Sequence, residues 1–384
     1  MQLSRYEEKA LRGEYGEATA AAYRILIAIG EATEAEKLTS ITWAHISGVN
    51  YNTIGEAGLV FLRKYSKDAR VRVRTTVNPM GFDRTNPTKL SSKFVRKQMG
   101  IVRSYERMGA IASFTCIPYE IFSLPKRGTR VSFAESSAAI FSNSILGLLT
   151  NKESALSALA SSVTGKSPYS DLRIQEHRQS KVSIKPTFKP KTELDYGLLG
   201  YFAGRITKDS CVNFENIPKP GIMTAKALCA AMGTSGSCGM FTLANSERKE
   251  LIEFDLKEAS TLKDELCTSE DGNLIILGSP QLGINELSYL SKLLREKKFN
   301  KPCMIFCPRA IHTQASEIGL TDKLKNAGAT FMCDSCSCLT PLVTKDNTDS
   351  VITNSVKAAY YLKNSNKVRV ALKDLQTIVN QYST

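Results

Sequence analysis

No apolar run in this chain approaches the roughly 18 residues that a membrane-spanning helix needs, the longest being short pieces such as Leu274 to Leu277. A membrane partner is therefore not expected. Nor does the start of the chain read as an export signal, because Glu7 and Glu8 fall where such a signal is basic and then apolar; Ser4 followed by Glu7 instead forms a capping box that opens a helix. These absences point to a cytoplasmic protein. Acidic residues are also few, 37 against 51 Lys and Arg, for a formal net charge of +14. A surplus of that size suits a polyanion or an acidic protein. Yet there is no RNA-binding aromatic signature, no zinc-finger spacing and no helix-turn-helix with its own basic face. The densest basic stretch, Lys166 to Lys191, interleaves Arg173, Arg178, Lys181, Lys185 and Lys189 with Val182, Ile184 and Phe188, and reads as an exposed edge strand with a solvated lysine face, so nucleic acid is not an expected partner.

Cysteine, by contrast, is plentiful. Ten cysteines without an export signal imply reduced thiols rather than disulfides. Cys303, Cys307, Cys333, Cys336 and Cys338 crowd together, whereas Cys116 stands apart between a threonine and Ile-Pro. Metal or redox chemistry follows for the crowd: either an iron–sulfur group or a structural zinc, the latter requiring four thiolates to converge at about 2.3 Å. Cys211, Cys229, Cys238 and Cys267 read as buried, incidental thiols.

A chain of 384 residues, 42% apolar, can bury a sizeable core in two or three domains, and no fixed-period repeat interrupts it. Helical spacing covers Ala18 to Gly30 and Ile54 to Tyr65, with a loop expected over TWAHISGVNYNTIG between them. From Val71 short β-branched runs, VRVRTTV and IASFTCI, flank a helix over Lys93 to Met108. Ser132 to Gly165 and Thr224 to Phe241 are rich in small residues and predict closely packed, buried helices; Ile184 to Pro190 reads as a connection. From Leu251 onward a strand at Leu274 to Leu277, a helix over 285–296, a strand at Cys303 to Cys307, a helix over 315–326 and a strand at Ala329 to Cys333 predict three parallel strands. The expected fold class is α/β with mostly parallel sheets, divided as residues 1–130, 131–250 and 251–384. In such sheets ligands occupy the crevice beyond the carboxyl ends of the strands, which places Gly278-Ser279-Pro280, Cys307-Pro308-Arg309 and Asp334-Ser335-Cys336 at the expected site.

Several polar residues are candidates for chemistry. His45 lies in a Gly-bearing loop with Ser47, Gly48 and Tyr51, and these, with Asn78, suit contacts to a substrate carboxylate; the bland alternative is side chains that cap their own turns. Glu135 precedes a small-residue helix whose start, with Ser136 and Ser137, can receive an anion, although an ordinary helix-start carboxylate has the same appearance. Asn143, Asn151, Lys152, Asn354 and Lys357 are candidates for a phosphate or carboxylate, Lys357 foremost. His177 and His312 have no comparable context.

The strings AHISGVNY (Ala44 to Tyr51), TIGEAG (Thr53 to Gly58), TTVNPMGFD (Thr75 to Asp83), FTCIPY (Phe114 to Tyr119), FAESSA (Phe133 to Ala138), NS with LGLLTNKE (Asn143 to Glu153) and TNSVKAAYY (Thr353 to Tyr361) resemble, in order and over nearly the whole chain, the aconitase X catalytic domain. The resemblance implies αβα domains around a central iron–sulfur cluster, a 4Fe-4S cluster being expected, with Cys116 and Cys336 as ligands. It further implies a hydro-lyase acting on a small anionic hydroxy acid. The chain length matches the archaeal, two-subunit form, which dehydrates mevalonate 5-phosphate to the trans-anhydro product in isoprenoid biosynthesis and pairs with a small subunit carrying the swivelling domain. Dehydration of cis-3-hydroxy-L-proline, a non-catalytic homologue and a zinc-binding protein are the alternatives. Within the resemblance the catalytic candidates are His45, Ser47 and Glu135, and the base of the aconitase-like reaction is a serine on the swivelling domain. One departure concerns the third ligand: the family's Gly-Cys-Pro is here Gly278-Ser279-Pro280, so Ser279 itself, Cys307 or Cys338 is left to complete the set. Lys152-Glu153-Ser154 replaces the family's Arg-Glu-Gly-Gly, and its late cysteine is missing from the tail.

Overall fold

Strand Trp43–Ile46 is buried at all four positions and pairs in parallel with Arg74–Val77 on one side and Ser132–Phe133 on the other. This and the following description come from a computed structural model that describes residues 1–87, 90–207, 211–244 and 250–384. The loop expected over TWAHISG is thus a central strand. A parallel strand covered on both faces has no alternation to reveal it, and a polar His45 in its middle disguises the apolar run. Helices Glu17–Ala32, Tyr51–Tyr65, Ser92–Met108 and Ala155–Thr164 supply much of the core around this sheet. Ser91 caps the third of these through Phe94 N–H, and Gly109 ends it in the left-handed conformation. IASFTCI contributes only a single bridge, Ile111 to Thr76, and otherwise runs as loop. Because Ser132–Phe133 belongs to this sheet, the division expected at residue 130 falls inside it.

A second parallel sheet has the order Met240–Leu243, Cys211–Phe214, Val182–Pro186, Glu250–Phe254. Val182–Pro186 is therefore neither an edge strand nor a connection: it lies inside the sheet with Ser183, Ile184 and Pro186 buried and only Lys185 exposed. The expected boundary at 250 likewise cuts off the outer strand of this sheet. Helices Glu193–Ile206 and Ile222–Ser235 pack with little space between them. A Cβ on Gly200 would stand 2.3 Å from Leu228 O, which explains the small residues on this pair. The small-residue stretch after Ser132 divides: Ser136–Phe141 packs on Ile222–Ser235, while Ala155–Thr164 packs on Glu17–Ala32.

The third sheet has five parallel strands in the order Ala329–Cys333, Cys303–Cys307, Leu274–Leu277, Ser350–Thr353, Arg369–Leu372. The three expected strands are present, and the helix expected over 315–326 is divided into Arg309–Glu317 and Leu320–Asn326. The chain leaves Leu274–Leu277 toward one edge and returns beside it at Ser350–Thr353. A crevice opens where the connections diverge, and Gly278-Ser279 and Asn354-Ser355 lie at its head. Ser355 Oγ donates to the Ser279 carbonyl there. Among the described residues no helix is long and apolar enough to cross a membrane.

Candidate active site

A cavity of about 930 Å³ opens at this crevice and is lined from the first and third sheets and the start of helix Ser136–Phe141. Cys116, Ser279, Cys336 and Cys338 form one part of its wall. Cys336 Sγ donates to Ser279 Oγ at 3.5 Å, and Ser279 Oγ lies equally far from Cys338 Sγ. Hydrogen bonding with Cys338 and Ser279, aided by the Lys357 charge, outweighs burial and brings the Cys336 thiol down to about 6. Burial pushes the Cys116 thiol well up, with Glu135 and Cys336 adding to the effect.

Gln281 holds these thiol-bearing loops together. Fully buried, it donates through Nε2 to Phe114 O at 3.2 Å and Ser335 O at 2.9 Å, and accepts Cys116 N–H at 3.2 Å on Oε1. Its own backbone N–H points at Cys116 Sγ from 3.1 Å. Lys226 anchors the same turn from the second sheet's helix layer. Its Nζ donates to Gln281 O at 3.1 Å and pairs with Glu120 at 2.7 Å and Glu286 at 2.5 Å. On the other side Asp334, at φ 58, accepts from Arg84 and Arg309, while Asp83 accepts Arg309 and Cys333 N–H. Asp83 ends the TTVNPMGFD string, so that motif positions the Cys336 loop.

Opposite the thiols stands a polar relay. Trp43 Nε1 donates to Thr76 Oγ1, 2.8 Å from His45 Nδ1; His45 Nε2 lies 3.0 Å from Asn78 Oδ1; Asn78 Nδ2 donates to Glu135 Oε2 at 2.7 Å. Because Asn78 must turn its amide N–H toward the carboxylate, its oxygen faces His45, and the imidazole carries its proton on Nε2. Ser137 Oγ and Lys357 Nζ both reach Glu135 Oε1, at 3.0 and 2.5 Å. Burial disfavours the Glu135 charge, but Lys357, Asn78 and Ser137 together bring its carboxyl to about 2. Burial likewise disfavours the Lys357 ammonium, and Glu135 reverses that, leaving it above the ordinary lysine range.

The expected residues divide on this geometry. Ser47, Gly48, Asn78, Glu135, Ser136, Lys357, Cys116, Ser279 and Cys336 line the cavity, and Ser137 acts behind them through Glu135. His45 does not line it. It is completely buried behind Asn78, and burial lowers its pKa to about 4, so it is a neutral support and not a base in contact with substrate. Cys307 is also outside: register puts it beside Cys333, and the two free thiols share a hydrogen bond, buried between adjacent strands. Tyr51 turns its hydroxyl to Lys97 and Glu56. Asn143 is a buried bracket for Thr150, Gly239 and Arg178. Asn151 bonds Ser170 and Asp171, Lys152 bonds Gly236 O, and Asn354 bonds Glu193 beyond Ser279. Each of these turns its side chain to a neighbouring segment, where it finds a polar partner.

Sequence reasoning missed Gln281, Lys345 and Lys367. The two lysines line the outer end of the cavity and carry no local signal that separates them from other surface lysines. Gln281, two residues past the strand-end Gly-Ser-Pro turn, was findable from its place at the crevice.

Among the described residues no three His, Cys, Asp or Glu side chains are gathered tightly enough to hold a single metal ion. That geometry does not support the zinc alternative, which needs four thiolates on one ion. A polynuclear iron–sulfur group spreads its ligands over different irons. Cys116 and Cys336 with Cys338 and Ser279, facing one cavity on separately anchored loops, fit such a group.

Comparison with known proteins identifies the family. Family models described as the first, second and third domains of aconitase X match residues 1–176, 179–270 and 272–384. The phosphomevalonate dehydratase large subunit of Methanocaldococcus jannaschii is 35% identical, with 99% of each chain covered. The cis-3-hydroxy-L-proline dehydratase of Hypocrea jecorina is 32% identical over 94% of this chain but 65% of its own. The crystal structure of Thermococcus kodakaraensis aconitase X in its holo form superposes with a TM-score of 0.93 at 32% identity, covering all of both chains. A parallel α/β chain that carries its thiols at the switch-point crevice and matches all three domain models belongs to the aconitase X family.

Proposed function

We propose that this chain is the large subunit of a cytoplasmic hydro-lyase that removes water from mevalonate 5-phosphate, giving trans-anhydromevalonate 5-phosphate for isoprenoid synthesis, and that a small subunit completes its active site. The observation that carries this reading is the single cavity in which Cys116, Cys336, Cys338 and Ser279 face the Glu135–Lys357 pair. Cys116 and Cys336 would hold an iron–sulfur cluster, with Ser279 or Cys338 as third ligand. When bound, the cluster supplies a Lewis-acidic iron for the departing hydroxyl.

The chain's own residues bind and orient. Lys357 receives the substrate carboxylate, and Ser47 and Ser136 present hydroxyl donors beside it. Glu135, ionised far below neutral pH, fixes Lys357 and Asn78 and does not deliver a proton. A base is needed within about 3 Å of the carbon next to the carboxylate, shielded from water. His45 is buried away from the cavity and no imidazole lines it among the described residues, so the small subunit is the source of the base. The large-subunit relatives are matched almost end to end, whereas the chain spans about two thirds of the hydroxyproline dehydratases.

The test is anaerobic reconstitution with the small subunit, followed by parallel assays on mevalonate 5-phosphate and cis-3-hydroxy-L-proline. Turnover of the phosphorylated acid by the pair, and not by either subunit alone, is expected. Preference for hydroxyproline, or full activity of this chain alone, would overturn the proposal.

A further inference from the structure

We infer that the outer end of the cavity is a phosphate subsite whose cations are Lys345 and Lys367. The inference rests on the reading above that the substrate is a phosphorylated hydroxy acid, and it assigns the place of the phosphate.

Charge within the cavity favours this end. At the inner end Lys357 is already neutralised by Glu135, which leaves little net positive charge for a second, dianionic group. Lys345 and Lys367 line the opposite end, and among the described residues neither makes a salt bridge. Among the described residues Asp346 is the one acidic side chain on this rim, and it pairs with neither. Two unpaired ammonium groups beside one carboxylate leave a net positive mouth. Thr344 and Ser365 line it as well and add hydroxyl donors, of which a phosphate can accept several.

The two loops that carry these lysines are joined. Lys345 N–H donates to Asn366 O at 3.2 Å, and Asn366 Nδ2 donates to Val343 O at 2.6 Å. Lys367 adopts φ 59, a left-handed conformation that persists in a non-glycine residue where the surroundings impose it. The turn thus presents Lys367 toward the cavity next to Lys345.

Spacing is compatible with one elongated ligand. Helix Val356–Asn364 runs along the cavity from Lys357 to Ser365, a rise of about 12 Å over eight residues. A phosphomonoester with a five-carbon backbone, reached from both ends by flexible lysines, bridges that distance. The carboxylate then lies at the helix N-terminus, which favours an anion. The phosphate lies toward the C-terminal end, where the helix contributes about half a negative charge against two ammonium groups. A compact substrate without a phosphate leaves this outer end unused.

The test uses the reconstituted two-subunit holoenzyme with Lys345→Gln, Lys367→Gln, the double variant, and Lys297→Gln as a control on an exposed lysine elsewhere. Binding of inorganic phosphate, measured by calorimetry, is expected to weaken at least tenfold in the double variant and to stay unchanged in the control. The KM for mevalonate 5-phosphate should rise by a similar factor with kcat little altered. Unchanged phosphate affinity in the double variant, or a loss accounted for wholly by weaker subunit association, would overturn the subsite. Because phosphate binding is read without turnover, the two proposals fail separately. A holoenzyme that dehydrates only hydroxyproline yet loses phosphate affinity in the double variant keeps the subsite and sinks the substrate. One that dehydrates mevalonate 5-phosphate with phosphate affinity unchanged does the reverse.

Discussion

Lys357 Nζ lies 2.5 Å from Glu135 Oε1, joining the helix that follows the fourth strand of the third sheet to the start of a helix that follows the first sheet. The pair is nearly buried, so either charge alone would be left uncompensated in a low-dielectric wall. Lys357→Met should cost about 3–5 kcal/mol of stability, and activity should fall at least a hundredfold. Adding Glu135→Leu should restore much of the stability, as chemical denaturation will show, but none of the activity. Recovery of activity in the double variant would mean that the pair is structural only.

The thiols make a second prediction. Cys116→Ala and Cys336→Ala should each abolish bound iron and activity together, whereas Cys307→Ala should retain iron, because its thiol shares a hydrogen bond with Cys333 outside the cavity. Comparing Ser279→Ala with Cys338→Ala by iron and sulfide analysis identifies the third ligand. Full iron content in Cys336→Ala would reject the assignment.

Gln281→Leu removes the amide that satisfies Phe114 O and Ser335 O. Two buried carbonyls left without donors cost about 2–5 kcal/mol. Since those carbonyls belong to the loops of Cys116 and Cys336, the visible spectrum and iron content should change as well as the melting temperature. A variant that is less stable but spectroscopically normal would limit Gln281 to packing.

His45 makes the fold sensitive to acid. Its folded pKa of about 4 lies below the ordinary histidine value of 6.5, so protonation favours the unfolded chain. Stability is complete above about pH 6.5 and should fall by up to about 3 kcal/mol as the pH drops toward 4. Urea unfolding across that window will measure the slope, and His45→Gln should flatten it while lowering stability at neutral pH. An unchanged slope would place the acid sensitivity elsewhere.

Legibility in the sequence followed the range of the interactions. The parallel strands from Leu274 to Cys333 were readable because each is a short apolar run between amphipathic helices. Trp43–Ile46 was not, since a strand buried on both faces with a histidine inside shows no period. The inner site was partly readable: Glu135, Lys357, Asn78, Cys116 and Cys336 stood in ordered motifs, and the structure brings them together.

The amino-acid sequence by itself determined the α/β class, the small-residue helices, the thiol-bearing strand ends and the resemblance to aconitase X, because local periodicity and ordered motifs survive without coordinates. Only the tertiary structure decided which polar groups face the cavity. His45, Tyr51, Asn143, Lys152 and Cys307 were equally eligible on paper, but each finds its partner in a distant segment, Asn78, Lys97, Gly239, Gly236 and Cys333 respectively. Lys345 and Lys367 make no salt bridge among the described residues and reach the cavity because the loop that carries Cys336 and Cys338 continues to Lys345 and meets the distant turn at Lys367. A buried polar group must be satisfied wherever the chain's path provides a partner, and that path is a property of the whole fold.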